Sequence, residues 1–250
     1  MTPNHFFIGG AQRSGTTYTY QLCADHPQIE MAHPVKPEPK FFMNPDLVAK
    51  GLDYYRSHYF GQKNDVAMYG EKSTSYIEVA YAAQQIAVHL PDAKFVFMLR
   101  NPIERAQSNY WFSVKNGFET LPLAEALYGE ATRVAQYDPR KISVSPYAYL
   151  QRGRYIDYLQ LYERYFDRSQ IHVMIYEQVV KNPQAAAELY AFLGIDTGHV
   201  PASQFQVINA NEERSHEPLA PALQTYMQEY FAASNAQLFD YLGYEVAEWR

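Results

Sequence analysis

The chain has 250 residues, of which 47% are hydrophobic and 19% charged, and its formal net charge is −6. That balance excludes a disordered or collagen-like chain and supplies enough apolar side chains for one large α/β domain with a real core. The acidic excess excludes a general nucleic-acid or anionic-membrane surface, so any anion site must be local, built from a few placed cations and backbone N–H groups.

The amino-terminal MTPNHFFIGG has neither a basic segment nor a long apolar run, so no signal peptide and no membrane span are expected, and a cytoplasmic setting is. HFFIG (5–9) reads as a buried strand ending in glycines, and Thr16 to Ala24 as a helix stopped by the Asp25-His26-Pro27 turn. The single cysteine, Cys23, excludes an intrachain disulfide and fits a reducing compartment. HPVKPEPKFF (33–42) carries three prolines, which fix φ and remove donors, so it is a stiff non-helical loop. A short helix is expected over 52–60, a strand running into a polar loop over 66–73, and a helix from Ser75 to His89. KFVFMLR (94–100) is the clearest buried strand, and Asn101-Pro102 after it suits a helix start. Helical patterns follow at about 103–116 and 121–135. Tyr155, Tyr158, Leu159, Tyr162 and Phe166 recur at helical spacing, IHVMIY (171–176) is a strand, and a helix over about 183–193 ends at Gly194. Leu219, Leu223, Tyr226 and Tyr230 mark a last amphipathic helix, and many of the 23 tyrosines read as half-buried residues of such faces.

No repeat or linker interrupts this order. The alternation predicts an α/β fold: one P-loop-type domain over 1–250, its central, mainly parallel β-sheet flanked by helices on both faces. Ligands of such sheets bind at the carboxyl ends of strands, so the loops after 9, 73 and 100 should share one edge.

The chemistry concentrates in those loops. In FIGGAQRSGTT (7–17), Gly10 and Gly15 have the spacing of a Walker loop and Thr17 holds its Ser/Thr place. The lysine position is Thr16, however, and the nearest cation is Arg13. The loop amides and the helix start form an anion cradle to which Arg13, Ser14, Thr16 and Thr17 add donors. A P-loop kinase needs the missing lysine and an acidic Mg²⁺ partner, yet Arg100 follows the KFVFML strand, so no metal is required on this reading. Arg100, with the hydroxyl of Ser108 on the next helix, suits a second phosphate. Glu38, on the stiff loop between Lys36 and Lys40, suits general-base work. The histidines lack zinc spacing, and there is no G-x-S-x-G elbow.

Four stretches occur in order: G-A-Q-R-S-G-T-T, P-E-P-K-F-F, G-E-K-S-T-S-Y and R-N-P-I-E-R-A-Q-S-N-Y. Together they resemble the sulfotransferases that use 3′-phosphoadenosine 5′-phosphosulfate (PAPS), most closely their heparan-sulfate-type and bacterial branch, over about residues 5 to 243. The resemblance implies that the 5′-phosphosulfate lies in the loop of Gln12, Arg13, Ser14, Gly15, Thr16 and Thr17, and the 3′-phosphate at Arg100 and Ser108. It implies that Glu38 is the base and that Lys72 faces the phosphosulfate and acceptor. Glu71 is expected simply to pair with Lys72. A basic loop over the adenosine makes Arg214 a further cofactor ligand. Many relatives carry lysine where Arg13 stands. Arginine stabilises developing charge but is a poor proton donor, so Lys72 or Lys40 would have to substitute in any acid role. Tyr155 reads as a packing residue, and so do Trp111 and Phe112, whose alternative role is to wall the acceptor site.

The function expected is transfer of a sulfuryl group from PAPS, leaving adenosine 3′,5′-bisphosphate, to a hydroxyl or amine of an acceptor. A small metabolite is favoured over a carbohydrate or lipid. Two alternatives stay open: a P-loop kinase acting on a small molecule, and a nucleotide-binding module without catalysis. The first needs ATP and Mg²⁺, and the second leaves Glu38 and Lys72 without a task.

Overall fold

The computed structural model describes residues 3–61, 63, 65–137, 144–202 and 218–249. In chain order the elements are β1 (Asn4–Gly10), α1 (Thr16–Ala24), β2 (Ile29–Met31), α2 (Pro45–Val48), α3 (Gly51–Tyr59), β3 (Met68–Lys72), α4 (Ala80–His89), β4 (Lys94–Leu99), α5 (Pro102–Lys115), α6 (Leu123–Tyr128), α7 (Glu130–Val134), α8 (Tyr155–Glu163), β5 (Ile171–Ile175), α9 (Tyr176–Val179), α10 (Ala185–Leu193) and α11 (Pro221–Leu242). They fall into two compact units, Met1–Leu99 with Leu161–Ile208, and Arg100–Gln160 with Asn209–Arg250.

The first unit holds a five-stranded sheet in the order β2-β3-β1-β4-β5, every pair parallel. The expected fold class is therefore what is found: a central parallel sheet flanked by helices. Phe95 to Leu99 on β4 are buried without alternation, which happens only when both faces are covered. On one face Phe6, Ile8, Val96 and Met98 pack with Leu22 of α1 and Leu189 and Leu193 of α10. The other face is aromatic. The Phe7 and Phe95 rings stack at 5.6 Å, Phe7 meets Phe42 and Tyr76 edge-on, and Phe95 meets Tyr162. Each such phenylalanine contributes roughly 1.5–3 kcal/mol by burial. Tyr55, Tyr76, Tyr162 and Tyr190 are fully buried rather than half-buried, their hydroxyls engaged by Glu71 and by main-chain groups.

Because β3, β1 and β4 run parallel and adjacent, their ends at Lys72, Gly10 and Leu99 open on one edge, as the strand alternation requires. The second unit packs α5, α6 and α11 around Ala106, Tyr110, Leu127, Met227 and Phe231. Within it the buried Arg105 and Arg152 share Asn109 Oδ1, at 3.2 and 2.8 Å.

Two boundaries and three short elements differ from expectation. The helix anticipated from Ser75 begins at Ala80, after a 3-10 turn over Tyr76–Glu78. The reason is that Ser73, Ser75 and Tyr76 use their hydroxyls on partners distant in sequence and hold the chain out of the α-helix. The helix over 121–135 divides at Gly129, where the backbone leaves helical geometry. β2, α2 and α9 are too short to leave a periodic signal.

Candidate functional site

The phosphate loop joins β1 to α1. Gly10 must be glycine: its φ is 154°, and a Cβ there would lie 2.7 Å from Ile77 Cγ2 and 3.1 Å from the Thr74 carbonyl oxygen. Arg13 (φ 67°) and Gly15 (φ 89°) are left-handed and bracket Ser14, an alternation that turns successive N–H groups toward a common centre. A non-glycine residue in that region costs roughly 1–2 kcal/mol, and such strain concentrates at functional sites. Gly15 is the N-cap of α1 and offers no side-chain cap. The first intrahelical bond comes from the Tyr18 N–H to the Gly15 carbonyl, so the Thr16 and Thr17 amides lie outside the helical ladder. Ser14 is fully buried, and its Oγ has no hydrogen-bond partner among the described residues. An orphaned buried hydroxyl in a glycine loop, next to an uncapped helix start and Arg13, fits a phosphate or phosphosulfate group.

The loop leans on residues 73–77. Gln12 donates through Nε2 to Ser75 Oγ at 2.9 Å. On the other side of that segment stands the proline loop. Glu38, half-buried, accepts from Lys72 Nζ at 2.7 Å, from the Thr74 N–H at 2.9 Å and from Thr74 Oγ1 at 3.0 Å. The Lys40 N–H donates to Ser73 Oγ at 2.9 Å, with Lys40 itself left-handed (φ 49°), and the Phe42 N–H donates to the Tyr76 hydroxyl at 3.0 Å. Residues 73–76 are thus a post to which both the glycine loop and the proline loop are tied. The pairing of Glu38 with Lys72 unites two of the sequence-derived candidates in one ion pair.

The expectation that Glu71 pairs with Lys72 is corrected. Successive residues of a strand point to opposite faces, so Glu71 and Lys72 on β3 cannot share a partner side. Glu71 is wholly buried and accepts from the Tyr55 hydroxyl at 2.7 Å and from the Ser73 hydroxyl. Burial pushes its carboxyl above the usual carboxylate range, while the Ser73, Tyr76 and Tyr55 hydroxyls pull the other way.

In the other unit Asn101 caps α5, its Oδ1 accepting from the Ile103 and Glu104 N–H groups, with Pro102 at the first helical position. The Arg100 guanidinium donates to Glu104 Oε2 at 2.7 and 3.2 Å, and its carbonyl accepts from the Tyr155 hydroxyl at 2.7 Å. An i,i+4 pair of this kind is worth about 0.3–0.5 kcal/mol, far below a bidentate arginine–phosphate contact, so Glu104 does not bar a phosphate from Arg100. Glu104 and Ser108, four apart, lie on one face of α5, and Ser108 is buried. Tyr155 is buried by packing, as expected, and its ring approaches Trp249. Arg214 lies outside the described residues.

Sequence reasoning missed Thr74, Ser75 and Tyr176. The first two bear the polar contacts of the post. The Tyr176 ring walls the phosphate loop so closely that a Cβ on Gly15 would sit 2.4 Å from its Cδ2. Thr74 and Ser75 stood inside a stretch already singled out, but nothing in their spacing named their partners. Among the described residues no helix is long and apolar enough to cross a membrane.

Comparison with known proteins agrees with this geometry. The sulfotransferase domain family model matches residues 3–235. The chain is 24% identical to the membrane-associated sulfotransferase kil1 of Dictyostelium discoideum, over 96% of this chain and 65% of that protein. It is 29% identical to the bifunctional heparan sulfate N-deacetylase/N-sulfotransferase 2 of Bos taurus, over 76% of this chain and 22% of that protein. It therefore spans less than two thirds of the length of these curated relatives. Among solved structures, a sulfotransferase from Alicyclobacillus acidocaldarius is 29% identical with a TM-score of 0.81, covering 100% of this chain and 99% of the other. Mouse sulfotransferase SULT7A1 complexed with PAP shares the fold at 14% identity, with a TM-score of 0.57 and coverage of 94% and 86%. By the match of the family model to nearly its whole length, the chain belongs to the sulfotransferase domain family.

Proposed function

We propose that this sulfotransferase takes its sulfuryl group from PAPS and passes it to a hydroxyl or amine of a small acceptor, with Glu38 as general base. The observation that carries the reading is the ion pair of Glu38 with Lys72, tied through Thr74 and Ser75 to a loop whose Ser14 hydroxyl lacks a partner among the described residues. When bound, the donor supplies an activated sulfuryl group and, in adenosine 3′,5′-bisphosphate, a leaving group. Gln12, Arg13, Ser14, Gly15, Thr16 and Thr17 hold its 5′ end, and no metal is called for. On the family resemblance, Arg100 and Ser108 are assigned to the 3′-phosphate.

Glu38 accepts the acceptor's proton as the acceptor attacks sulfur. Protonation neutralises the partner that holds Lys72, so the ammonium turns its charge toward the oxygen on which negative charge develops. Arg13 and the loop amides act on the same charge without giving up a proton. Lys72, rather than Lys40, is the lysine already in contact with the base. Lys40 is tied here through its N–H to Ser73.

The net charge of −6 favours a small acceptor over a polyanion, and the lone, buried Cys23, its thiol pushed up by burial, suits a reducing cytoplasm. The test pairs a transfer assay with calorimetry. Glu38→Gln should lose ~10²–10⁴-fold in turnover while binding adenosine 3′,5′-bisphosphate as before. In the same calorimeter, Arg100→Ala should weaken the bisphosphate far more than adenosine 5′-phosphate. Undiminished transfer by Glu38→Gln removes that residue from the reaction, and equal weakening of both nucleotides removes Arg100 from the 3′-phosphate.

A further inference from the structure

The Glu71 carboxylate is wholly buried on the face of β3 opposite Lys72 and takes part in none of the steps above. What it offers, and an apolar side chain would not, is acceptor capacity for hydroxyl donors. Tyr55 of α3 is one, at 2.7 Å. The other, Ser73, passes a constraint onward: it donates to Glu71 and therefore presents a lone pair to the Lys40 N–H, at 2.9 Å. Without the carboxylate the Ser73 hydroxyl could rotate and offer hydrogen instead of lone pair. With it, the rotor has one direction, and the Lys40 amide is fixed. Glu38 lies two residues before it.

We propose that Glu71 is a positioning residue of the sulfuryl-transfer site, setting the backbone at Lys40 through the Ser73 hydroxyl and so holding Glu38 against Lys72 and Thr74. The proposal deepens the reading of Glu38 as base and rests on it for its effect on turnover. Its structural half stands apart from that reading.

The experiment uses the full chain with Glu71→Gln, Ser73→Ala and Tyr76→Phe. Glutamine keeps the size, but its NH₂ faces a hydroxyl that must turn away. Amide hydrogen exchange at Lys40 should speed up about tenfold or more in Glu71→Gln, as the loss of one hydrogen bond's worth of restraint predicts. Ser73→Ala should expose Lys40 in the same way and Tyr76→Phe should expose Phe42 but not Lys40, which keeps the test decisive if Glu71→Gln does not fold. In the transfer assay, kcat of Glu71→Gln should fall with the affinity for adenosine 3′,5′-bisphosphate unchanged. The double variant Glu38→Gln/Glu71→Gln should be no slower than Glu38→Gln, since a residue acting through another has nothing left to act on. Unchanged exchange at Lys40, or losses that multiply in the double variant, would overturn the proposal. Full activity in Glu38→Gln with altered exchange would instead retain the positioning and discard the base.

Discussion

Ser14 illustrates how a single atom can separate stability from binding. Its hydroxyl is buried without a partner among the described residues, so the folded chain bears a desolvation cost of about 1–3 kcal/mol with no compensating bond. Ser14→Ala should therefore leave the melting temperature unchanged or raise it, while weakening adenosine 3′,5′-bisphosphate by roughly 10–100-fold, the worth of a hydrogen bond to a charged group. Parallel thermal unfolding and calorimetry decide it, and a lowered melting temperature would mean that the hydroxyl supports the fold. Arg13 makes the complementary point. Its identity and place in the loop were legible from the glycine spacing, but its left-handed backbone was not, because only an assembled turn obliges a non-glycine residue to adopt it.

At the scale of elements, the junction of β1 and α1 is set by what presses on it. A methyl group on Gly15 would meet the Tyr176 ring at 2.4 Å and sit at φ 89°, whereas Gly117, at φ 74°, has nothing within 4 Å. Left-handed strain alone costs roughly 1–2 kcal/mol and overpacking against an aromatic ring a further 1–3. Denaturant unfolding should show Gly15→Ala losing about 2–5 kcal/mol and Gly117→Ala about 1–2. Equal losses would mean that Tyr176 yields. The strand-loop-helix order around Gly15 could be read from glycines and apolar runs. That α4 starts late could not, because the hydroxyls of residues 73–76 are spent on partners 33–63 positions away in the chain. The misplaced Glu71 is different: strand alternation was legible in MYGEK, and it already set Glu71 and Lys72 on opposite faces.

For the molecule as a whole, two buried titrating groups of the sheet-bearing unit oppose each other across the acid range. His5, beside Arg56 and ringed by Tyr55, Phe60 and Tyr69, is lowered by burial from 6.5 to about 4. The unfolded chain takes up that proton first, so the stability it supplies is present above 6.5 and is lost as pH falls toward 4, on the order of 3 kcal/mol. Glu71, raised by burial, works in the other sense: its contribution is present below 4.5 and is lost as pH rises through its folded value. Denaturant unfolding should therefore show His5→Phe losing less stability than the parent chain as pH falls from 6.5 to 4. An unchanged slope would place the acid sensitivity elsewhere.

What the order of residues determined by itself was the chemistry on offer and its rough location: glycines at Walker spacing without the lysine, a carboxylate among prolines, an arginine at a strand end, and an alternation that could only be a parallel sheet. Those features are local, written in φ preferences and in periods of two and 3.6. What only the tertiary structure decided was partnership. Lys72 meets Glu38 rather than its neighbour Glu71, and Thr74 and Ser75 tie two loops together. The Ser14 hydroxyl waits inside its turn. Hydrogen bonds between side chains 34 to 63 residues apart depend on strands closing in one register, and no local preference encodes which donor will then face which acceptor.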